Sequence, residues 1–248
     1  MDIISASWDK RNLGVDVYEI RLNKIDLLNL SEVINLISSG KFKNSYLTIK
    51  IPVSNLDALH ALEAIGFQFM ETQFHMGKSL NHYETPKLLS RVIVPLKQQE
   101  IVKNEDSWRA ITNLMTDNMF HTDRIYLDPK LTSGISCKRY KNWIIDSVKD
   151  QDSHLFVYYY KDNPIGISFI KIDKYKKIVY DLLEGIFEKY QNSGLGFSVF
   201  DCALKSYQGI GIKKLKTSIS SNNPSILKLD LVFGYIIEDE EYVLRKFN

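Results

Sequence analysis

The sequence predicts an α/β fold in which helices flank a mixed sheet. The runs 154–160 and 164–172 are rich in β-branched and aromatic residues, and the short polar turn between them indicates a β-hairpin. Residues 195–207 repeat their apolar positions every three to four residues, as an amphipathic helix does. The third observation is a strand–helix–strand pattern that occurs twice in the chain.

The remaining elements are predicted in chain order from periodicity. A short apolar run at 92–96 indicates the first strand of a new unit, and helical spacing follows in 107–120 and 137–150. The apolar run 176–187 is typical of a buried strand, and the run 212–220 indicates a further strand after the helix.

The internal repeat aligns residues 47–76 with residues 215–244 without a gap, at a constant offset of 215 − 47 = 168. Each copy has the order strand, polar turn, short helix, glycine followed by an aromatic residue, and strand. Four identical pairs support the alignment: Leu47 and Leu215, Asn55 and Asn223, Leu59 and Leu227, Gly66 and Gly234. A true duplication and a chance likeness of two similar units both explain this pattern. Duplication predicts a partial N-terminal lobe over 1–80, a linker over 81–90 and a second domain over 91–248.

The composition limits the partners of the protein. The 32 basic and 30 acidic residues are interspersed and give a net charge of +2, so no global field recruits nucleic acid or an anionic membrane. The two cysteines, Cys137 and Cys202, have no His or Cys neighbours at metal-ligand spacing, which argues against a zinc site and a disulfide framework. The N-terminus lacks a signal-peptide pattern and no window of about 18 apolar residues exists, so we expect a cytoplasmic protein.

The stretch EKYQNSGLGFSVFD, residues 188–201, leads from a strand through a polar turn into a helix. Closely spaced glycines at a helix N-terminus present unpaired backbone N–H groups to an anion. A dinucleotide fingerprint does not fit because Val199 replaces the third glycine, and a P-loop does not fit because Phe197 follows Gly196. Taken alone, the turn is either a phosphate site or a tight corner that uses glycine for steric reasons.

The segment GIFEKYQNSGLG resembles the Gln/Arg-x-x-Gly-x-Gly/Ala signature of the GNAT superfamily of acyl-CoA-dependent acyltransferases, with Gln191, Gly194 and Gly196 on its fixed positions. Downstream, LKTSISSNNPSILKLDLVFGY looks like the next strand, the Asn-initiated helix and the glycine–aromatic unit of that family. The resemblance covers about residues 91–248. It implies a GNAT fold with a mostly antiparallel central sheet, preceded here by a smaller, partial GNAT-like lobe.

The resemblance also implies a coenzyme site for acetyl-CoA as co-substrate, with no metal. The thioester oxygen is expected near the backbone of Ile186, and Asn223 beside the pantetheine arm. Ser193 stands where many members of the family have a basic residue, a mild departure because the backbone provides most of the binding. The implied pyrophosphate amides are those of Asn192, Ser193, Gly194, Leu195, Gly196 and Phe197.

The N-terminal segments 7–20 and 46–76 are similar to the leading lobe of a GNAT subgroup that acetylates nucleotide-linked amino-dideoxy sugars for surface polysaccharides. The segment MFHTDRIYLDP looks like the substrate-side loop of that subgroup, which implies substrate contacts by His121, Arg124 and Tyr126. An arginine at this place can bind a diphosphate bidentately. The alternative is that these are solvated loop side chains.

Acetyl transfer to an amine requires a base and a proton donor for the thiolate. Glu184, two residues before Ile186, is the candidate base, and an exposed or ion-paired glutamate is the alternative. Asp230 occupies the position at which many GNAT proteins have a tyrosine acid. An ordinary aspartate is ionised at neutral pH. Four explanations are open: a raised pKa in a dry site, binding of a cationic amine, unassisted departure of the thiolate, or lost activity.

These expectations together describe an N-acetyltransferase that uses direct attack of a small-molecule amine on acetyl-CoA in a ternary complex. The resemblance allows a homodimer, because GNAT proteins are often dimeric. Two alternatives are a GNAT-fold protein that binds coenzyme A without catalysis, and an acetyltransferase acting on a peptide or a small amine.

Overall fold

The structure is a computed structural model that describes residues 1–132 and 134–248. It has alternating strands and helices, as the sequence predicts. The strands are β1 Asp2–Ser5, β2 Asp16–Arg21, β3 Ser45–Pro52, β4 Gln68–Ser79, β5 Lys97–Glu100, β6 Ser153–Tyr160, β7 Asn163–Asp173, β8 Ile178–Ile186, β9 Lys214–Ser220 and β10 Ile236–Phe247. The helices are α1 Ser7–Leu13, α2 Lys24–Leu28, α3 Leu30–Ser38, α4 Leu56–Ala64, α5 Glu105–Thr112, α6 Ile135–Asp146, α7 Leu195–Gly209 and α8 Pro224–Val232.

The described strands form one sheet in the order β1-β2-β3-β10-β4-β9-β8-β7-β6-β5. The pairs β2–β3 and β8–β9 are parallel, and the other seven neighbouring pairs are antiparallel. The predicted mixed and mostly antiparallel sheet is therefore confirmed.

The two copies of the repeat contain the same elements at the same positions. Helix α4 and helix α8, like β4 and β10, have bounds that differ by 168 at both ends. Strands β4 and β10 pair symmetrically about Gln73 and Glu241, because Thr72 pairs with Tyr242 and Phe74 pairs with Glu240. The two copies are thus related by a local two-fold axis.

The closing strand of each copy is inserted beside the first strand of the other copy. Strand β10, the end of the second copy, lies between β3 and β4, and strand β4 in turn lies between β10 and β9. A bidentate ion pair joins Arg245 of β10 to the buried carboxylate of Asp128, at 2.7 and 2.8 Å. The sheet therefore runs through both lobes without interruption, and the boundaries at 80 and 91 stay a prediction.

The prediction of a strand over residues 92–96 is wrong. The apolar run 92–96 makes no strand, and β5 begins at Lys97 instead. Ile93 and Leu96 pack against the hydrophobic core under α7, and the amide of Val94 donates to the hydroxyl of Ser198 on that helix. This run is apolar because it covers α7, and the strand that follows at the sheet edge is polar.

Candidate active site

The two central parallel strands separate part of the way along their length. Strands β8 and β9 pair only over 178–180 and 214–216, although β8 continues to Ile186 and β9 to Ser220. The bulge in β8 at Leu182, where the pairing with β7 shifts by one residue, lies just beyond the last β8–β9 pair. A V-shaped opening results, and it continues into a cavity of about 200 Å³.

Glu184, the candidate base, lines this cavity. The hydroxyl of Ser168 donates to its Oε2 atom at 3.0 Å, whereas its buried Oε1 atom has no hydrogen-bond partner among the described residues. Burial raises the pKa of Glu184 well above its ordinary value, and the charge of Asp181 adds to this shift. The alternative of an exposed or ion-paired strand glutamate does not describe this side chain.

Asp181 is a residue that the sequence argument missed. Strict alternation places residues 181 and 184 on opposite faces of a strand, but the bulge between them brings both side chains to the same cavity. Burial raises the pKa of Asp181 to about 7. The sequence does contain a signal for Asp181, because it is a carboxylate three residues before Glu184 in an apolar run. That spacing places the two side chains together only if the strand has a bulge.

Asp230 extends from α8 into the same cavity and is 1% exposed. Burial, followed by the charge of Asp181, raises the pKa of Asp230 to about 8, so this carboxyl is mostly protonated at neutral pH. Its Oδ2 atom is buried without a partner in the described part of the chain. Of the four explanations for an aspartate at this position, the structure favours a raised pKa in a dry site.

Tyr235 also lines the cavity, immediately after the glycine that ends α8. Its backbone amide donates to the carbonyl of Asp230 at 3.0 Å, and burial raises the pKa of its phenol well above the ordinary value. The hydroxyl of Tyr207 on α7 is buried nearby without a partner among the described residues. The carboxyls of Asp181, Glu184 and Asp230 therefore line the opening of the strands together with Tyr235.

The glycine turn forms the N-terminus of α7. Asn192 and Gly194 have φ angles of 59° and 81°, in the left-handed region, and Gly194 directly precedes the first helical residue. A Cβ atom placed on Gly194 or Gly196 would meet no neighbour within 4 Å, so the outer side of the turn is open. Since Gly196 has an ordinary helical backbone, the fold itself does not require a glycine there.

The amides of this turn are largely unpaired. The amides of Leu195 and Phe197 make long bonds of 3.3 Å within the turn, to the hydroxyl of Ser193 and the carbonyl of Gly194. No acceptor in the described chain faces the other four predicted amides, those of Asn192, Ser193, Gly194 and Gly196. Gln191 precedes them in an extended conformation. The turn presents an anion site made of backbone.

Ile186 and Asn223 border the opening from the two strands. Phe187 donates its amide to the carbonyl of Ile165 on β7, so the alternate residue Ile186 points its N–H away from β7, toward the opening. Asn223 lines the cavity, and its side chain accepts from the amide of Ile226 at 3.3 Å to cap α8. Both predicted cofactor residues therefore face the gap between β8 and β9.

The structure brings one of the three predicted substrate residues to the cavity. Arg124 lines it, is largely buried and lies 3.6 Å from Glu71. His121 and Tyr126 are exposed and do not line the cavity, whereas Thr122 and Asp123, which directly precede Arg124, do line it. A second cavity of about 730 Å³, which shares Arg124, Gln73 and Asp181 with the first, extends across the sheet to the N-terminal lobe.

The His, Cys, Asp and Glu side chains of the described residues form no group of three or more that suits a metal ion. None of the helices described is both long enough and apolar enough to cross a membrane.

The fold of this chain, which includes the separated parallel strands and the amide-lined turn, is similar to the folds of solved GCN5-related N-acetyltransferases. A GCN5-related N-acetyltransferase from Sphaerobacter thermophilus matches with a TM-score of 0.62 and 13% identity, over 99% of this chain and 75% of that one. A functionally unknown conserved protein from Staphylococcus epidermidis matches at 0.59 and 17% identity, over 94% and 84% of the two chains.

A tandem GNAT protein from the clavulanic acid biosynthesis pathway matches with a TM-score of 0.52 and 10% identity, over 81% of this chain and 63% of that one. Its tandem arrangement is consistent with the two lobes seen here. No protein-family model matches the sequence, and no curated protein does. At these identities the likeness establishes the fold alone.

Proposed function

We propose that this protein is an acetyl-CoA-dependent N-acetyltransferase. The observation that carries the proposal is the open turn of largely unpaired amides at residues 192–196, next to separated strands and a cavity that is lined by several carboxyls. The amides of the turn bind the pyrophosphate of the coenzyme, and the N–H of Ile186 and the side chain of Asn223 border the path of the pantetheine arm. Acetyl-CoA supplies the acetyl thioester that the amine attacks.

The carboxyls supply both proton transfers. Glu184 accepts the proton of the attacking amine through its unpaired Oε1 atom. Asp230, which holds its proton up to a pH of about 8, donates it to the departing sulfur. Buried carboxyls in one cavity with unequal pKa values provide an acid and a base at the same pH. Transfer activity is therefore expected to require the ionised form of Glu184 and to fall above about pH 8, where Asp230 loses its proton.

Thermal shift and thiol release test the proposal in two stages. Saturating acetyl-CoA is expected to raise the melting temperature, and a panel of amines is expected to reveal acceptor-dependent release of free thiol. Absence of a thermal shift would contradict the coenzyme site. A shift without thiol release from any amine would instead favour the alternative of a coenzyme-binding protein without catalysis.

The finer proposal is an acceptor in which the amine belongs to a nucleotide-linked amino-dideoxy sugar, as for dTDP-4-amino-4,6-dideoxygalactose N-acetyltransferase. The support is a set of three cations that line the second cavity together with several carboxylates: Arg21, which pairs with Glu19 at 2.6 Å, Lys50 and Arg124. Lys50 is almost fully buried, and its nearest carboxylate, Glu19, is 3.5 Å away. Burial lowers the pKa of Lys50, and the charges of Arg124 and Arg21 add to this lowering. A diphosphate suits such a site.

A Lys50→Met variant tests the acceptor. We expect its KM for a nucleotide-linked amino sugar to rise by about tenfold, the usual size of one lost charge-assisted contact, with KM for acetyl-CoA unchanged. Free amino sugars, small polyamines and peptides serve as comparison acceptors. A peptide or a polyamine that is acetylated faster than the nucleotide-linked sugar would replace this finer proposal with the alternative.

A further inference from the structure

We propose that Ser168 and Tyr158 are positioning residues, which orient one oxygen of Glu184 so that the other faces the acceptor amine. The role of Glu184 as a base in this inference rests on the proposed function, whereas the hydrogen bonds that orient Glu184 are observed independently of that function. The inference concerns a chain of hydrogen-bonded side chains on the strands β5 to β8, which precede the glycine turn.

The chain of hydrogen bonds crosses four neighbouring strands. The amide nitrogen of Gln98 on β5 donates to the hydroxyl of Tyr158 on β6 at 3.2 Å. The hydroxyls of Tyr158 and Ser168 are 2.8 Å apart, and Ser168 on β7 donates to Oε2 of Glu184 on β8 at 3.0 Å. Every step joins adjacent strands of the sheet.

When Glu184 is ionised, every hydrogen bond in this chain is donated in the same direction, toward Glu184. Gln98 can only donate from its amide nitrogen, so Tyr158 accepts there and its hydroxyl proton points to Ser168. The proton of Ser168 then points to Glu184. This arrangement fixes Oε2, and Oε1 is the remaining oxygen, buried and without a hydrogen-bond partner among the described residues. The chain orients Glu184 and does not carry protons to solvent, because it ends in an amide.

The surroundings make this polar chain costly unless it has a purpose. Tyr158 and Ser168 are fully buried, and the neighbours of Ser168 along β7 are apolar residues with no exposure: Ile165, Ile167, Phe169 and Ile170. A buried hydroxyl lowers stability unless it is hydrogen-bonded. A small apolar residue at 168 would suit the core equally well, so the hydroxyl serves the carboxylate beside it.

Several ionisable groups surround Glu184 and set its titration together with Ser168. The bond from Ser168 favours the charged form, whereas burial and neighbouring carboxylates disfavour it. The groups that interact with Glu184 are Asp181 on the same strand, Asp230 on α8, Tyr158 on β6, Tyr207 and Cys202 on α7, and Tyr235 after α8. Because these groups stay in place in a Ser168 variant, a change in the titration of Glu184 measures the effect of the lost Ser168 hydroxyl.

The test is the Ser168→Ala variant in the full chain. Loss of the hydrogen bond is expected to raise the midpoint of the acidic limb of the pH–kcat profile by about one pH unit and to lower kcat at neutral pH by about tenfold or more. KM for acetyl-CoA is expected to stay unchanged. Tyr158→Phe is expected to shift the profile in the same direction by less, and Ser168→Thr to restore it.

Ser153→Ala is the matched control. Ser153 is a fully buried serine on β6, and its hydroxyl makes no hydrogen bond within the described chain. Its loss is expected to leave the pH profile unchanged. A Ser168→Ala profile that coincides with that of the control would overturn the proposal.

Infrared titration of the carboxyl band of Glu184, assigned by its disappearance in Glu184→Gln, separates this inference from the proposed function. The midpoint is expected to rise in Ser168→Ala whether or not the protein transfers acetyl groups. If thiol release fails and the midpoint still rises, the proposed function is wrong and the positioning role remains. An unchanged midpoint contradicts the positioning role in either case.

Discussion

The two copies of the strand–helix–strand repeat differ in how far their first strand pairs with the parallel strand beside it. In the N-terminal copy, β2 and β3 pair over six consecutive positions, from Asp16 with Ser45 to Arg21 with Lys50. In the C-terminal copy, β8 and β9 pair over three positions and then separate. One scaffold thus occurs in a closed form and in an open form, and the candidate site belongs to the open one.

The residues at equivalent positions follow this difference. Asp230 in the open copy corresponds to Leu62 in the closed copy, since 230 − 168 = 62, and both side chains are buried. Asn223 caps α8 beside the cavity, whereas Asn55 donates to the carbonyls of Pro52 and Val53. Where the strands remain paired, the buried position is apolar. Where they separate, it is a carboxyl.

The exchange of closing strands gives the largest expected effect. Strand β10 supplies the partner of both β3 and β4, so residues 1–80 alone lack the strand between them. We expect this fragment to show no cooperative urea unfolding by circular dichroism, because an incomplete sheet cannot bury its core. Mixing it with the fragment 81–248 is expected to restore the transition. A cooperative transition in residues 1–80 alone would show that the lobes are independent.

The substitution Leu62→Asp places the carboxyl of the open copy in the closed copy. Leu62 is fully buried, so the variant loses apolar packing and gains a carboxyl without a cavity to face. The expected loss in the free energy of unfolding is on the order of 5 kcal/mol at pH 8. Urea titrations at pH 5 and pH 8 measure it, with the larger loss at pH 8. A loss similar to that of Leu62→Ala at both pH values would contradict this reasoning.

The reverse substitution, Asp230→Leu, is expected to stabilise the protein. The folded pKa of Asp230, about 8, lies above its unfolded value of 3.8, so the folded state binds the extra proton between these values. The contribution of this group to stability therefore falls as pH rises from about 4 to about 8. The gain of Asp230→Leu is expected to grow over that range to the order of 3 kcal/mol, measured by urea unfolding.

A gain that does not depend on pH would mean that Asp230 is not buried as a titrating acid. The same variant is expected to lose acetyl transfer, because leucine has no proton to donate. Increased stability together with lost turnover would identify Asp230 as a residue retained for chemistry and not for the fold.

The glycine turn gives a smaller change in free energy but a specific one. Gly196→Val adds a side chain on the open side of the turn without clashing with the protein. We expect the affinity for coenzyme A, measured by calorimetry, to fall by about a hundredfold, because the backbone amides can no longer approach a phosphate. Gly209→Ala, at the other end of α7 and also without close neighbours, is the control and should bind normally. Equal affinities of both variants for coenzyme A would favour the alternative, in which the turn is a tight corner that uses glycine for steric reasons.

Local sequence patterns were sufficient for much of the fold. Helix α7, the hairpin of β6 and β7, and both copies of the repeat follow from periodicity and glycine positions, because those signals act over a few residues. No local pattern predicted the separation of β8 and β9 or the order of the strands, since β10 pairs with segments between 159 and 201 residues away. The candidate site divides in the same way.

The sequence by itself determined the glycine turn, the repeat and the identity of Glu184 and Asp230 as the carboxyls to examine. Only the tertiary structure decided that Asp230 keeps its proton, that a bulge brings Asp181 to Glu184, and that Arg124 but neither His121 nor Tyr126 reaches the cavity. The physical reason is that a turn depends on local backbone conformation. The pKa of a carboxyl depends on burial, which residues distant in the chain create together.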